Sequence, residues 1–351
     1  MSTRSFTFVI PGDWATPTGG YRYDRHIVLA MREAGWTVDV VFLADGFPRP
    51  DAAALEDCSR RVSALANGSV VVVDGLAFGV LDELASQHEA RLRFVALVHH
   101  PLHLETGLDP QLREQLASSE TRALRSARKV IVPSGSTMGD VMAMGVERDR
   151  IAVVEPGTDR PARAAPDSSV AHVRLLCVAT LVPRKGHAVL LEALAGLLDL
   201  DWTLDCVGSA DRDPATAGRL LRMTTDLHLA SRVRWLGAID EPALSRQYEN
   251  ADLFVLPSFY EGFGMVVTEA VAHGLPVVTT TGGALARTLP AGAGLHVSPG
   301  DVEALREALR SVISDAALRS RLVDGARTAA EKLPYWADAA LAFGEVIEGV
   351  K

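Results

Sequence analysis

Residues 257–287 read PSFYEGFGMVVTEAVAHGLPVVTTTGGALAR, and this stretch says most about the fold. It follows Leu253–Leu256, an apolar run of the kind found in strands buried on both faces of a parallel sheet. The glycines near its start and the apolar residues after them predict a loop and then a helix from about 264 to 273. A second strand is expected to begin at Pro276. Strand, helix and strand in this order form a βαβ unit, which is typical of an α/β fold.

The same alternation of short apolar runs and helical patterns extends over the whole chain. The runs before residue 160 predict six strands, at Phe6–Ile10, Val38–Leu43, Val70–Val73, Phe94–Val98, Val130–Val132 and Ile151–Val154. Six more are predicted after it, at Leu175–Ala179, Trp202–Val207, Val233–Leu236, Leu253–Leu256, Pro276–Thr280 and Gly294–Val297. Helical patterns lie between many of them, for example at Asp24–Ala34, Gln111–Ala127, Ala188–Leu198 and Val302–Ile313. The sequence therefore predicts two Rossmann-like, doubly wound parallel sheets.

A linker is expected between the two sheets, at Arg160–Ala171. This segment reads RPARAAPDSSVA and has no helical or strand periodicity. We therefore expect an N-terminal domain at 1–160 and a C-terminal domain at 170–335, facing each other across a central cleft. The last helix, at about 336–351, is expected to cross back to the first domain. Ligands of such sheets bind outside the carboxyl ends of the strands, so the informative residues should lie directly after the apolar runs.

Composition excludes several classes of protein. The 351 residues carry a net charge of −9 and contain no long basic run, which argues against non-specific binding to nucleic acid. The three cysteines, Cys58, Cys177 and Cys206, show no CxxC spacing, so neither a disulfide framework nor a zinc site is expected. The N-terminus has no apolar core of a signal peptide, and Glu192 and Glu269 interrupt the longest apolar stretches. A cytoplasmic protein without a membrane-spanning segment is the expectation.

Two carboxylates of the 257–287 stretch are candidates for ligand contacts. Glycines at a helix entrance let backbone amides approach an anion, and Glu261 precedes this entrance. Glu269 lies among valines and alanines of the helix, where burying a lone carboxylate costs several kcal/mol unless it is hydrogen-bonded. A dipole partner and a solvated face are the plainer interpretations of the two residues. At about 1.5 Å per residue, Glu269 lies roughly 7–8 Å beyond Gly264, so the pair could accept hydrogen bonds from one polyhydroxylated ligand.

At this stretch the sequence resembles the retaining glycosyltransferases of family 4, also called glycosyl transferases group 1, which share the GT-B fold. Their signature is two glutamates separated by seven residues, and here it reads Glu261-GFGMVVT-Glu269-AVAHGLPVV. The resemblance implies that Glu261 contacts the donor sugar and that Glu269 contacts the hydroxyls of the nucleotide ribose. It also implies that the backbone around Gly262, Phe263 and Gly264 faces the phosphates or the sugar.

A second segment, 175–194, reads LLCVATLVPRKGHAVLLEAL and places Arg184 and Lys185 between a strand and a helix that begins near His187. An adjacent arginine and lysine at the carboxyl end of a strand suit a diphosphate, although an ordinary basic loop is the plainer interpretation. In the family this segment binds the donor diphosphate, usually through an earlier arginine. Thr180 stands at that earlier position here, so the resemblance transfers the role to Arg184 beside Lys185.

The N-terminal segment PGDWATPTGGYRYD, residues 11–24, is expected to form a second anion-binding helix entrance, with Gly19 and Gly20 preceding the helix. It is not the GxGxxG of a dinucleotide site. The resemblance places Gly19 and Gly20 near the donor phosphates and places three residues on the acceptor side: Tyr21, Arg22 and Asp24. Packing roles for Tyr21 and Tyr23 are an equal alternative.

The segment LVHHPLHLE, residues 97–105, follows a predicted strand with two adjacent histidines. A lone histidine is more often structural, but in the family a histidine after this strand lies in the active-site cleft. His99 is the best positional match and is expected to be catalytic, together with Arg184, Lys185 and Glu261. His100 and Glu105 are secondary candidates on the acceptor side.

The resemblance implies a retaining glycosyltransferase whose donor is a nucleotide-diphosphate sugar held by the second domain. The acceptor, held by the first domain, would be a small molecule, a glycan or a lipid-linked sugar. No metal and no cofactor besides the donor are expected. The basic residues Arg122, Arg125, Arg128 and Lys129 could touch anionic lipid, although a solvated helix face is the simpler interpretation.

Three other functions remain open at this point. A non-hydrolysing nucleotide-sugar epimerase would share the architecture, and turnover of the sugar nucleotide without an acceptor would identify it. A nicotinamide-dependent dehydrogenase is disfavoured because the chain lacks GxGxxG at its first helix. A non-catalytic sugar-nucleotide-binding protein would bind the donor without turning it over.

Overall fold

The computed structural model describes residues 4–160 and 172–350, and most of the linker expected at Arg160–Ala171 lies outside these ranges. Contacts divide the chain into two compact units. Unit 1 comprises the described residues of Met1–Gly157 and Pro334–Lys351, and unit 2 comprises those of Thr158–Leu333.

Unit 1 is built on a six-stranded sheet in the order β2-β1-β3-β4-β5-β6, in which all the pairings are parallel. The strands are β1 (Ser5–Pro11), β2 (Thr37–Leu43), β3 (Val70–Asp74), β4 (Arg93–Leu97), β5 (Lys129–Val132) and β6 (Ile151–Val153). The helices between them are α1 (Gly19–Glu33), α2 (Ala52–Ser63), α3 (Gly75–Phe78), α4 (Asp82–His88), α5 (Pro110–Ser126) and α6 (Gly135–Ala143). The six predicted strands are thus confirmed, each within two residues of its predicted ends. Gly19 and Gly20, expected before the helix, form its first turn, because Thr18 caps it.

Unit 2 repeats this architecture with the strand order β12-β11-β10-β7-β8-β9, again with parallel pairings. Its strands are β7 (Val173–Val178), β8 (Trp202–Val207), β9 (Val233–Gly237), β10 (Leu253–Leu256), β11 (Val277–Thr280) and β12 (Gly294–Val297). Its helices are α7 (His187–Ala195), α8 (Pro214–Asp226), α9 (Glu241–Asn250), α10 (Met265–Ala272), α11 (Leu285–Thr288), α12 (Val302–Ser314) and α13 (Ala316–Ala330). The C-cap of α10 is His273, and the expected Gly274 follows it in the left-handed conformation.

The last helix, α14 (Trp336–Val350), belongs to unit 1 and packs on α1. Phe343 is fully buried, and its ring lies 6.0 Å from that of Phe6 on β1. Gly344 lies against Trp36, where an added Cβ would come within 3.2 Å of the indole. The packing of α14 on unit 1 therefore depends on two consecutive residues, the large Phe343 and the small Gly344.

In each sheet the order of the strands reverses at one point, and ligands of such sheets bind there. In unit 1 the strand order reverses between β1 and β3, and in unit 2 it reverses between β7 and β10. At such a point the loops leaving the two neighbouring strands diverge to opposite faces and open a crevice at their carboxyl ends. The loops that follow these four strands therefore define the candidate sites.

The cysteines, the hydropathy of the helices and the basic stretch were also the subject of sequence predictions. All three cysteines are buried and free, which agrees with an absence of disulfides. None of the described helices is long and apolar enough to cross a bilayer. The basic stretch near 122–129 is partly paired, because Arg122 contacts Asp82 at 2.6 Å and Lys129 donates to the Asp149 carbonyl at 2.6 Å.

Candidate active site

The loops that follow β7 and β10 in unit 2 are joined to each other by their backbones. The Phe259 amide donates to the Arg184 carbonyl at 2.8 Å. Between Lys185 and α7, Gly186 adopts φ +70°, and a Cβ there would lie 2.1 Å from the Pro257 carbonyl oxygen. Only glycine allows both this backbone conformation and this close approach. The turn therefore holds Arg184 and Lys185 beside the residues that follow β10.

The two cations meet Glu261 at this junction. Lys185 Nζ donates to Glu261 Oε1 at 2.6 Å, and Arg184 Nη1 lies 3.6 Å from Oε2. Arg184 also donates to the Tyr260 carbonyl at 2.8 Å, and the Ser258 hydroxyl donates to Glu261 Oε1 at 2.6 Å. Because two positive side chains face one carboxylate, the group has an excess of one positive charge with Glu261 ionised.

Glu261 stays ionised although it is buried. Burial alone raises the pKa of its carboxyl, but Lys185 and then Arg184 favour the charged form, and the balance lowers the pKa below its usual value. The backbone of Glu261 is also fixed, since its carbonyl accepts the Ala284 amide at 2.9 Å. The carboxylate is thus a fixed group that is ionised at neutral pH, and it lies beyond the carboxyl ends of β7 and β10.

Glu269 is buried on α10, with 8% of its surface exposed, so the solvated-face interpretation is wrong. Its Oε2 accepts a hydrogen bond from the Tyr248 hydroxyl of α9 at 3.1 Å. Tyr248 in turn stacks on His273, with the ring centroids 4.7 Å apart. A buried carboxylate held in this way is ready to accept a ligand hydroxyl.

The N-terminus of α10 is open to an anion. Gly264 is the N-cap of the helix and has φ +93°, and no side chain of the described residues caps the helix. The first amides of a helix lack partners within the helix and carry a partial positive charge. Phosphate oxygens bind well at such a terminus.

In unit 1, His99 lies directly after β4 and contacts two buried carboxyl groups. Its Nε2 is 2.8 Å from Asp24 Oδ1 and 3.5 Å from Asp74 Oδ2. Asp24 belongs to α1 and is fully buried. Asp74 ends β3 and caps α3 by accepting the Leu76 amide at 2.8 Å.

Burial dominates the protonation of this cluster. It raises the pKa of Asp24 well above its usual range and, with the nearby Asp24, raises that of Asp74 to about 8. It also lowers the pKa of His99, although Asp74 acts in the opposite direction. His99 is therefore neutral at neutral pH, and at least one of the two carboxyl groups carries a proton.

The other predicted residues of unit 1 differ in how far they are buried. Tyr23 packs edge-on against His99 and is buried, so the packing alternative is right for Tyr23, whereas Tyr21 is half-buried. Arg22 and His100 are half-buried as well. Glu105 is half-buried, and its carboxylate accepts the Thr106 amide at 2.9 Å.

The loop that carries these histidines is anchored by a residue that sequence reasoning missed. Glu120 of α5 is buried and accepts the Leu102 amide at 2.9 Å. The short 3₁₀ helix Leu102–Leu104 is thereby fixed on α5. No motif marks Glu120, since its helix reads as an ordinary polar one.

The candidate metal ligands among the described residues are one cluster in unit 1 and two Asp-x-Asp pairs in unit 2. Asp24, Asp74 and His99 place one donor atom each within 4.8 Å of one another, but the 2.8 Å contact between His99 and Asp24 is a hydrogen-bond contact. In the first Asp-x-Asp pair, Asp199 contacts Arg310 at 2.7 Å and Asp201 contacts His172 at 2.8 Å. In the second pair, Asp213 caps α8 through the Thr216 amide, and Asp211 accepts from the Ser209 hydroxyl at 3.0 Å. Contacts within the chain thus account for all three positions.

Asp74 and Ser258 were detectable from the sequence. Asp74 ends the run VVVVD, and Ser258 comes two residues after β10, so both satisfy the rule that functional residues follow strands. Tyr248 carried no such signal, because its contact with Glu269 joins two different helices.

Solved structures with the same architecture cover nearly the whole chain. A sucrose-phosphate synthase from Thermosynechococcus elongatus superposes with a TM-score of 0.81 at 20% identity, covering 98% of each chain. HepE from Anabaena, in complex with UDP-glucose, gives a TM-score of 0.78 at 19% identity over 98% of this chain and 99% of that one. These matches, with the two parallel six-stranded sheets, define the GT-B fold.

Sequence comparison then narrows the class to one family. Residues 17–160 match the family described as Glycosyltransferase Family 4, and residues 163–329 match Glycosyl transferases group 1. The protein belongs to glycosyltransferase family 4.

Curated relatives carry several activities. A D-inositol 3-phosphate glycosyltransferase from Catenulispora acidiphila is 31% identical over 68% of this chain and 63% of its own length. An MMP alpha-(1->4)-mannosyltransferase from Mycolicibacterium hassiacum is 26% identical over 83% of this chain and 73% of its own. The matches to the inositol phosphate relatives span 57–64% of their lengths.

Proposed function

We propose that this protein is a retaining, metal-independent glycosyltransferase that moves a sugar from a nucleoside diphosphate sugar to a hydroxyl-bearing acceptor. The observation that carries the proposal is the meeting of Arg184, Lys185 and Glu261 beyond the carboxyl ends of β7 and β10. Membership of glycosyltransferase family 4 supports the same chemistry.

Unit 2 is proposed to hold the donor. When the glycosidic bond breaks, negative charge grows on the departing diphosphate, and Arg184 and Lys185 stabilise it together with the open N-terminus of α10, where Gly262, Phe263 and Gly264 lie. Fixed positive charge of this kind can replace a metal ion in this step.

The two glutamates are assigned to different parts of the donor. Glu261 Oε1 already accepts from Lys185 and Ser258, whereas Oε2 is 3.6 Å from Arg184, beyond hydrogen-bond length, so Oε2 is assigned to the sugar hydroxyl. Glu269 is assigned to the ribose hydroxyls, with Tyr248 fixing its carboxylate.

Unit 1 is proposed to hold the acceptor beside His99. Tyr21, Arg22, His100 and Glu105 would line it, Gly19 and Gly20 would approach the donor phosphates, and Asp24 would act through His99. Because several relatives are named for D-inositol 3-phosphate, a polyol phosphate is the first acceptor class to assay.

The donor can be identified by thermal shift with uridine, guanosine and adenosine diphosphate sugars. A ligand at 100 times its dissociation constant adds about 2.7 kcal/mol to the free energy of unfolding, which is easily measured. The donor that binds is then incubated with acceptors, and the anomeric configuration of the product is read by NMR. Retention is expected, and isomerisation of the donor without any acceptor would instead indicate an epimerase.

Matched variants test the roles of the glutamates. Glu269→Gln should weaken binding of the free nucleoside diphosphate and of the sugar nucleotide alike. Glu261→Gln should spare the free nucleotide, because the variant removes a sugar contact and leaves both cations available to the diphosphate. Glu192→Gln, an exposed residue of α7, is the control. Equal losses of free-nucleotide affinity in the first two variants would contradict the assignment.

A further inference from the structure

The cluster around His99 contains one carboxyl group more than a simple His–Asp pair. Asp24 and Asp74 come from different elements, are 0% and 1% exposed, and both face the same nitrogen of His99. Two carboxylates buried side by side cannot both ionise without a large cost, so such a pair retains one proton.

The hydrogen bonds of the two carboxyl groups also indicate that the pair carries one proton. Asp74 Oδ1 accepts the Leu76 amide, and Asp24 Oδ1 faces His99 Nε2. Asp24 Oδ2 is buried and has no donor among the described residues. A proton on the carboxyl pair supplies the missing donor, and the buried oxygen is then satisfied.

The ring of His99 is held on its remaining sides. A Cβ on Gly20 would approach His99 Cδ2 to 3.2 Å, so α1 lies directly against this edge. Tyr23 packs edge-on at 5.1 Å between ring centroids, and its hydroxyl is anchored on the Val154 carbonyl at 3.0 Å. The His99 side chain is 19% exposed, and because Nε2 and Cδ2 are covered, the Nδ1–Cε1 edge is the part of the ring that we assign to a ligand.

We propose that Asp24 and Asp74 share one proton and together hold His99 neutral, with its hydrogen on Nε2, so that Nδ1 accepts a hydrogen bond from a hydroxyl of the bound sugar or acceptor. Asp74 is thereby a positioning residue for the reaction, acting through Asp24 and His99. The ligand part of this inference rests on the proposed function, whereas the shared proton does not.

The shared proton should be lost at alkaline pH. The titratable groups facing one another in it are Asp24 and Tyr23 of α1, Asp74 of β3 and His99. The pair keeps its proton below the Asp74 pKa of about 8 and loses it above. Two adjacent anions then repel each other, which should weaken the contact of Asp24 with Nε2, and turnover should fall at alkaline pH.

The first measurement needs no substrate. In free protein with ¹³C-labelled aspartate carboxyls and ¹⁵N-labelled histidine, one carboxyl should titrate in the alkaline range, and His99 should carry its hydrogen on Nε2. Asp74→Asn should abolish the alkaline titration, because its amide donates to Asp24 as the protonated acid does. Asp51→Asn, which alters the N-cap of α2, is the matched control and should leave the spectrum unchanged.

The second measurement is the pH profile of transfer. Asp74→Asn should keep kcat/KM within about twofold of the wild type at pH 7 and should lack the alkaline fall. Asp74→Ala, which cannot supply the hydrogen, should lower kcat by at least about 10-fold with the KM for the donor unchanged.

Three results would overturn the inference. They are aspartate carboxyls that are all ionised at pH 6, an Asp74→Asn enzyme as impaired as Asp74→Ala, and stoichiometric binding of Zn²⁺ or Mg²⁺ that Asp74→Asn abolishes. A wild-type protein that transfers no sugar would count against the proposed function, while the NMR titration would still decide the shared proton.

Discussion

Glu261 is buried and Lys185 lies half-buried against it, so each influences the charge that the other can carry. Glu261 accepts from Lys185 at 2.6 Å, and its pKa is lowered despite burial. In the ligand-free protein the cations are therefore partly neutralised by the carboxylate that the donor sugar would contact. A donor that contacts both Glu261 and the two cations must change the contacts between them. Recognition of the sugar is thereby linked to recognition of the diphosphate.

The first prediction concerns turnover. Lys185→Ala should lower kcat by about 10²–10³-fold, because the diphosphate carries more negative charge in the transition state than in the bound donor. Arg184→Lys should also be impaired, since an ammonium cannot replace the planar guanidinium. Steady-state kinetics measure both effects, and a Lys185→Ala enzyme with normal kcat and a raised KM would assign the loop to binding alone.

The second prediction concerns the free energy of unfolding and the direction in which it changes with pH. The lowered pKa of Glu261 means that its ionised form stabilises the fold at neutral pH, and that this stabilisation is lost as the pH falls through its folded pKa. In Lys185→Ala the main counter-charge is gone, so the loss of unfolding free energy relative to wild type should grow from acid to neutral pH. Urea unfolding measures it, with Lys332→Ala, an exposed residue of unit 2, as control. A loss that does not change with pH would mean that Lys185 acts through packing.

At the scale of elements, the turn between β7 and α7 places the cations. Gly186 has φ +70°, and its neighbour across the junction is the backbone of Pro257 rather than a movable side chain. A rigid backbone contact transmits any displacement directly to Arg184 and Lys185. The same logic holds in unit 1, where Glu120 ties the loop of His99 to α5.

The third prediction separates conformational strain from this contact. Gly186→Ala should destabilise unit 2 and reduce turnover, because its Cβ would lie 2.1 Å from the Pro257 carbonyl oxygen. Gly292→Ala has a similar strain at φ +83° but meets nothing within 4 Å. It should cost only the conformational penalty of about 1–2 kcal/mol and leave turnover intact. Equal effects of the two variants on melting and on kcat would refute the role of the contact.

At the scale of the whole molecule, unit 1 is made of two segments that are not consecutive in the sequence. The last helix, α14, completes the core of unit 1, although unit 2 separates it in sequence from the rest of that unit. Unit 1 therefore cannot be produced intact by cutting the chain at the linker. Its stability depends on a segment that follows unit 2 in the sequence.

The fourth prediction follows from this dependence. Phe343→Ala should destabilise unit 1 by about 3–5 kcal/mol, since it empties a fully buried site against Phe6. Leu341→Ala, on the same helix but 65% exposed, should have little effect. Calorimetry measures the unfolding, and nucleotide binding by unit 2 should persist in both variants. Loss of nucleotide binding in Phe343→Ala would contradict the independence of the two units.

The sequence by itself determined the local architecture and predicted the candidate residues of unit 2. The twelve strands are short runs of β-branched and apolar residues, and strands buried on both faces require that composition, so no long-range information was needed to find them. The βαβ alternation also predicted two parallel sheets. Glu261 and Glu269, like Arg184 and Lys185, were predicted as candidate site residues because each pair belongs to one short stretch of sequence that resembles the family.

Only the tertiary structure decided which side chains meet. Asp24, Asp74 and His99 lie 25 to 75 positions apart, and the strand order of unit 1 brings the ends of β3 and β4 next to α1. Tyr248 reaches Glu269, and Glu120 reaches Leu102, in the same way. Protonation belongs to this level too, because a pKa shift depends on burial and on neighbouring charges, and neither exists until the chain has folded.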